Sequence, residues 1–127
     1  MADLRRFLGT ALTAATLAGA VAVYPAASAP MVHSVGAITR HAAKYIGRDV
    51  AMHGYLLARR HGYILFSDEP GGRIGRYDLP VTGTGIDGIV PHKRYIIEGT
   101  FLDHGLRASN HNPDHLALSK PPQLAGH

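Results

Sequence analysis

The stretch from Asp49 to Asp68 constrains the fold more than any other part of this chain. In it, apolar and polar residues alternate on both sides of a short polar connection at residues 59–62. Alternation with a period of two predicts two β-strands, and the glycine that ends the connection favours a tight hairpin. Gly54 lies in the middle of the first strand, where a glycine typically marks a bulge or a sharp bend. The stretch therefore predicts a strongly curved β-hairpin.

Three further strands follow from the same kind of pattern. The five predicted strands cover residues 48–59, 63–67, 73–81, 93–102 and 114–119. Gly99 interrupts the fourth strand as Gly54 interrupts the first, so both long strands can bend sharply. Five short strands, two of them bent, are typical of a small closed barrel.

One short helix is predicted before the barrel. The pattern predicts a helix over Val35–Ile46, and Gly47 is placed to cap its C-terminus. The residues that share its apolar face are Ile38, Ala42, Tyr45 and Ile46. The sequence thus divides into four segments: a signal peptide at 1–28, a lead-in and short helix at 29–47, the barrel at 48–119, and a loose C-terminal tail at 120–127.

The first 28 residues have the three parts of a secretory signal peptide. Arg5 and Arg6 are followed by an uncharged, apolar run, and small residues after Pro25 fit cleavage behind Ser28. The alternative is an uncleaved anchor, but the run is shorter than the roughly 20 residues that a transmembrane helix needs. We therefore expect a periplasmic or secreted protein with no stable membrane span after cleavage.

Cysteine content and net charge indicate which kinds of site and surface this chain can have. The 127 residues contain no cysteine, which excludes disulfides, a lipid-attachment cysteine and thiolate zinc sites. The net charge is +4 with histidine neutral, and the basic residues occur as scattered pairs. Scattered charge of this size is typical of an ordinary solubilising surface rather than of a dedicated nucleic-acid-binding face.

The strand pattern resembles a known fold. Gly47-Arg48-Asp49-Val50, with Met52 and Gly54 following, precedes an apolar strand that ends in Asp68. This arrangement is similar to that of small exported bacterial OB-fold proteins and of tRNA-anticodon-type OB domains. The resemblance implies a mainly β, five-stranded Greek-key barrel that acts as a binding module without catalytic machinery.

In OB-folds, oligonucleotides or oligosaccharides bind to the face of strands two and three. In this chain the candidate ligand-binding residues on that face are Arg59, Arg60, Tyr63, Arg73, Arg76 and Tyr77. Arginine and tyrosine together suit stacking and phosphate contact, and they equally suit sugar rings or a protein partner. The simpler alternative is that the tyrosines close the barrel and the arginines solvate its surface.

A histidine-rich loop provides a second candidate site. His104, His111 and His115 lie close together in sequence with Asp103 and Asp114, and imidazole and carboxylate groups bind zinc or copper. The spacing matches no closed metal motif, and the residues around Pro113 are also ordinary turn formers. A zinc or copper site therefore remains an alternative to solvent-exposed loop histidines, and no other cofactor is expected.

No catalytic motif is present. The chain lacks a nucleophile elbow, a phosphate-binding glycine loop and a dinucleotide fingerprint. The leading hypothesis is an exported, non-catalytic OB-type module that binds an unidentified small ligand or protein. The alternatives are a binder of single-stranded nucleic acid or oligosaccharide, with nucleic acid disfavoured by export, and a metal-binding protein.

Overall fold

The computed structural model describes residues 30–126, which contain seven strands and one short α-helix. The elements are β1 Val32–Ser34, α1 Val35–Thr39, β2 Asp49–Arg60, β3 Tyr63–Ser67, β4 Leu79–Thr82, β5 Tyr95–Leu102, β6 His115–Leu118 and β7 Gln123–Leu124. Two 3₁₀ turns lie at Ala42–Lys44 and Ile86–Gly88. The predicted signal peptide, residues 1–28, falls outside the described part of the chain.

Five of the strands close into a barrel in the order β2-β3-β4-β6-β5, because β5 also pairs with β2. Neighbouring strands are antiparallel except β4 and β6, which run parallel with Val81 opposite Leu116. This is the Greek-key order of an OB-like barrel, so the predicted fold is confirmed. Two strands are additional: β1 lies parallel to β2, and β7 lies antiparallel to the start of β5.

The barrel interior is filled by the alternate residues that the sequence pattern indicates. In β5, Tyr95, Ile97, Gly99 and Phe101 are buried, and the residues that alternate with them are partly exposed. Phe66 and Met52 meet them from β3 and β2 and are fully buried. Each such apolar side chain stabilises the fold by about 1.5–3 kcal/mol relative to exposure, so this interior is the main source of stability.

Gly54 is required by a close approach of two strands. A Cβ atom at this position would lie 2.5 Å from the Ser67 carbonyl oxygen and 2.8 Å from Cε2 of Phe66. Two residues later the pairing of β2 with β3 shifts register between Leu56 and Ala58, which is a β-bulge. The strong curvature predicted for this strand therefore has two local causes, a missing side chain and an inserted residue.

Two sequence predictions about local structure are wrong. The strand predicted at 73–81 is a strand only from Leu79 onward, because Asp78 closes a turn. Its amide donates to the Gly75 carbonyl over 3.2 Å, and its Oδ2 accepts from the Gly75 amide over 2.7 Å. The helix predicted at Val35–Ile46 ends at Thr39, after which bonds between residues three apart tighten the chain into the first 3₁₀ turn.

Both chain ends of the described segment are attached to the barrel. The Asp68 carboxylate at the end of β3 accepts hydrogen bonds from the amides of Val35 and Gly36, at 2.7 and 2.9 Å. In the segment predicted to be a loose tail, Gln123–Leu124 form β7 against β5. No helix between residues 30 and 126 is long and apolar enough to cross a membrane.

Candidate ligand-binding surfaces

The outer face of β3, where OB-folds bind their ligands, is covered by the chain itself. The connection from β5 to β6, residues 103–114, is called the covering loop here. Tyr63 and Leu65 point away from the barrel interior, yet both are buried in a small apolar cluster with Ala108 of this loop. Leu106 packs against the same cluster. The centre of the expected binding face is therefore occupied by apolar side chains from the covering loop.

Buried asparagines fix the covering loop in place. Asn110 Nδ2 donates to the carbonyls of Gly75 and Asp78, both at 2.8 Å, and Asn112 Nδ2 donates to the Asp78 carbonyl at 3.1 Å. The amide of Ser109 donates to the Tyr63 hydroxyl over 2.8 Å. Because both asparagines are buried, these bonds are expensive to break, and the loop is held firmly on the sheet.

The structure uses two of the candidate arginines internally. The Arg59 guanidinium donates to the carbonyl oxygens of Ile86, Asp87 and Ile89, and so caps the second 3₁₀ turn. Arg60 Nε donates to the hydroxyl of Ser109 over 3.2 Å. Together with the buried Tyr63, these side chains join loops to the barrel.

Two of the candidate residues, Arg73 and Tyr77, lie together in an open cleft. The cleft, called the Tyr77 cleft here, has a volume of about 280 Å³ and is lined by Val35, Gly36, Arg40, Ser67, Asp68, Glu69, Gly72, Arg73, Tyr77 and Asp78. Tyr77 is 46% exposed, and the Arg40 guanidinium carbon lies 4.6 Å from the centre of its ring. Arg76 is exposed on the adjoining segment. The cleft thus presents an aromatic ring supported from one side by a cation.

The carboxylates of the Tyr77 cleft differ in whether they already accept hydrogen bonds from backbone amides. Asp68 binds the first amides of α1, and Asp78 binds the Gly75 amide, so both already have partners. Glu69 and Arg73 are exposed. The Tyr77 cleft therefore combines hydrogen-bond donors and acceptors of both charges around one aromatic surface. Sequence reasoning missed Arg40, because no sequence pattern links the end of α1 to a tyrosine in a distant loop.

The three candidate metal ligands do not come together as a set. His104 Nδ1 lies 3.1 Å from the Asp103 carboxylate, and both side chains are exposed. His111 is exposed and adopts the left-handed backbone region with φ of 62°. His115 is only 6% exposed, and its Nδ1 has no hydrogen-bond partner among the residues that the structure describes. Across residues 30–126, no three histidine, aspartate or glutamate side chains are close enough to hold a metal ion.

Two groups at the base of the covering loop have shifted pKa values. Burial lowers the pKa of His115 from its usual 6.5, the nearby His104 lowers it further, and Asp114 partly opposes the shift. Burial also raises the pKa of Asp114 from its usual 3.8, with a smaller contribution from Asp103 and an opposing one from His115. Both shifts favour the neutral form, as desolvation requires.

Comparison with known proteins supports the fold. No protein family model matches the sequence, and no curated protein matches it. Among solved structures, OBody AM3L09 bound to hen egg-white lysozyme is 16% identical, with a TM-score of 0.52 over 76% of this chain and 96% of the OBody. OBody AM2EP06, also bound to hen egg-white lysozyme, is 17% identical, with a TM-score of 0.51 over 72% of this chain and 90% of that one.

A DUF3299 family protein from Pseudomonas aeruginosa PAO1 is 15% identical, with a TM-score of 0.47 over 66% of this chain and 65% of that chain. At identities this low, the two OBody structures show a shared OB-like barrel and carry no information about the ligand of this protein.

Proposed function

We propose that this protein is an exported, non-catalytic OB-type binding module and that its ligand occupies the Tyr77 cleft. The observation that carries the proposal is the half-exposed Tyr77 ring with the Arg40 guanidinium over it. An aromatic ring held in place by a cation offers a flat, rigid stacking surface at low entropic cost. Arg73 and Glu69 at the same cleft supply polar groups that can orient a ligand.

The charges of the cleft favour an uncharged oligosaccharide as the ligand. Asp68, Glu69 and Asp78 lie beside Arg40 and Arg73. Their carboxylates repel phosphates, which disfavours the phosphate backbone of a nucleic acid. Sugar hydroxyls both donate and accept hydrogen bonds, so they match a surface that carries guanidinium and carboxylate groups together. OB barrels bind oligosaccharides as well as oligonucleotides, which makes this ligand class compatible with the fold.

The remaining parts of the proposal rest on the sequence. Residues 1–28 resemble a signal peptide, and this supports a periplasmic or secreted location. The chain carries no nucleophile elbow or cofactor fingerprint, and this supports binding rather than catalysis.

The test is calorimetric titration of the full chain with a panel of neutral oligosaccharides. We expect at least one to bind, and we expect Tyr77→Ala to weaken its binding about fivefold to tenfold through loss of the stacking surface. Ile74→Ala serves as the control, because Ile74 is an exposed apolar residue of the same loop that does not line the cleft. Thermal unfolding of both variants verifies that they fold.

Two results would contradict the proposal. The first is an absence of binding by every oligosaccharide in the panel. The second is equal binding by wild type and Tyr77→Ala, which would place the ligand elsewhere. Binding of single-stranded oligonucleotides that weakens steeply with salt would favour the nucleic-acid alternative instead.

A further inference from the structure

A second open surface lies where the chain enters β5. It is called the basic groove here, has a volume of about 420 Å³, and is lined by Tyr55, His92, Lys93, Arg94, Leu124, Ala125 and Gly126. An adjoining groove of about 320 Å³ shares His92 and extends along Leu57 and Pro91. The OB-type function proposed above uses none of the residues that line the basic groove.

The basic groove has an excess of positive charge. Lys93 and Arg94 are exposed, and neither lies within 4.0 Å of a carboxylate in the described chain. Among residues 30–126, no aspartate or glutamate lines this groove or the adjoining one. Arg59 lines the adjoining groove and lies 3.9 Å from the Asp87 carboxylate, so its charge is partly matched. The unmatched charge is therefore concentrated at Lys93 and Arg94.

The backbone that carries these cations is fixed on both sides. The amide of Val90 donates to the Tyr95 hydroxyl over 3.1 Å, and the amide of Ala125 donates to the Arg94 carbonyl over 2.9 Å. Arg59 holds the preceding 3₁₀ turn through its three carbonyl contacts. His92 adopts a left-handed backbone with φ of 66°. A fixed turn presents the cations without a further loss of backbone entropy on binding.

Apolar surface lies next to the charge. Leu124 is 62% exposed, and the partly exposed Tyr55 ring lines the same groove. An exposed leucine beside a tyrosine suits a flat ring, and a lysine with an arginine suits a doubly charged oxyanion, which the guanidinium binds through two parallel hydrogen bonds. The same cations attract a singly charged group less strongly, because the interaction scales with the product of the charges.

We propose that the basic groove binds a small phosphomonoester that carries a ring. Its phosphate lies on Lys93 and Arg94, and its ring lies against Tyr55 and Leu124. The ligand differs in charge from the one expected in the Tyr77 cleft, so this proposal stands or falls independently of the proposed function.

The test uses phenyl phosphate as the probe and the full, isotopically labelled chain. We expect its titration to shift the amide signals of residues 92–94 and of Tyr55, with weaker binding at higher salt. Lys93→Gln/Arg94→Gln should weaken binding at least about tenfold, since charge-assisted hydrogen bonds are lost. Arg48→Gln/Arg107→Gln is the matched control: it removes two exposed cations elsewhere and should change binding less than about twofold.

A second comparison tests the ring. Tyr55→Ala should weaken the binding of phenyl phosphate severalfold and leave that of inorganic phosphate unchanged. The proposal is overturned if benzyl alcohol binds as tightly as phenyl phosphate, if inorganic phosphate does so, or if both double variants lose the same affinity. An absence of binding at millimolar phenyl phosphate also overturns it. All substituted residues are exposed or partly exposed, and unchanged thermal unfolding verifies the fold of each variant.

Discussion

The two connections on either side of β5 have opposite effects on the barrel surface. The one that follows β5 covers a face of the barrel, and the one that precedes β5 leaves a surface open. The covering loop, residues 103–114, leaves β5 and lies on the outer face of β3, where Leu106 and Ala108 bury Tyr63 and Leu65. The chain that enters β5 carries His92, Lys93 and Arg94 and leaves a groove open beside it. Both connections are tied to the barrel by hydrogen bonds between side chains and backbone.

Attachment to the barrel therefore does not decide whether a face stays open. The covering loop closes its face because it contributes apolar side chains to an apolar surface, and their burial is favourable. The entering turn contributes cations, whose burial without partners would be costly. A few loop residues can thus cover one face of an OB-like barrel and leave another surface open.

We expect the largest effect on stability from a substitution that disrupts the barrel, on which both regions depend. In Gly54→Val the new side chain would collide with the Ser67 carbonyl and the Phe66 ring, so we expect a loss of about 3 kcal/mol or more in the free energy of unfolding. Gly72→Val is the control, because a Cβ at Gly72 meets nothing within 4 Å. Urea denaturation measures both variants. Equal stability of the two would contradict the close approach of β2 and β3.

The covered face is tested by Leu65→Ala. Leu65 is fully buried beneath the covering loop, so the truncation should cost about 2–5 kcal/mol in unfolding free energy. The same truncation beside the open groove, Leu124→Ala, should cost less than about 0.5 kcal/mol, because that side chain is exposed. The contrast between two leucines outside the barrel interior measures the difference between the regions directly. Similar costs would show that the loop does not cover β3 in solution.

The attachment of the covering loop is tested by Asn110→Ala. The variant removes one of two donors from the Gly75 carbonyl, which keeps the Asp78 amide, and one of two donors from the Asp78 carbonyl, at a cost of about 1–3 kcal/mol. We also expect faster hydrogen exchange at residues 104–112. Ser109→Ala is the control, because within the described segment the Ser109 hydroxyl bonds only the exposed Arg60, and its loss should change little. Unchanged exchange in Asn110→Ala would contradict a role of the Asn110 hydrogen bonds in holding the loop.

The smallest effect concerns acid stability at the base of the covering loop. Burial lowers the pKa of His115 below 6.5, so at mildly acidic pH the unfolded state binds a proton that the folded state does not. The free energy of unfolding should then fall as the pH drops through 6.5 towards the folded-state pKa. Denaturation of wild type and His115→Leu across this range measures it. If the variant keeps the full slope, other groups cause the acid sensitivity.

Asp114 should act in the opposite direction at lower pH. Its pKa is raised above 3.8, so the folded state takes up the proton first, and stability from this group is regained as the pH falls through its folded-state pKa. The two groups therefore change the free energy of unfolding in opposite directions as the pH falls.

The sequence predicted the barrel because strand alternation and the strand glycines are local signals. β2, β3, β5 and β6 lie close to their predicted bounds, and Gly54 is required by a close approach as its place in the strand indicated. The short additional strands β1 and β7 were not predicted, because three-residue and two-residue strands have too little alternation to detect. They exist through pairing with strands already in the sheet.

The sites were harder to predict because they depend on contacts between distant segments. Tyr63 alternates correctly with the interior residues Ile64 and Phe66, and only the return of the covering loop buries it. Leu106 and Ala108 in an otherwise polar loop were the available signal. No local pattern shows that Arg59 will meet the carbonyls of the second 3₁₀ turn, since that contact requires the closed barrel.

The carboxylate of Asp68 has a consequence for the order in which the chain assembles. It holds the first amides of α1, and β1 pairs with the part of β2 just before the residues that β3 takes up. Asp68 follows β3 and Ala51–His53 belong to β2, so both attachment points lie later in the chain than the segment that they hold. The segment from Val32 to Thr39 therefore emerges from the ribosome before the residues that hold it and docks late, since its binding surface is created by residues synthesised after it.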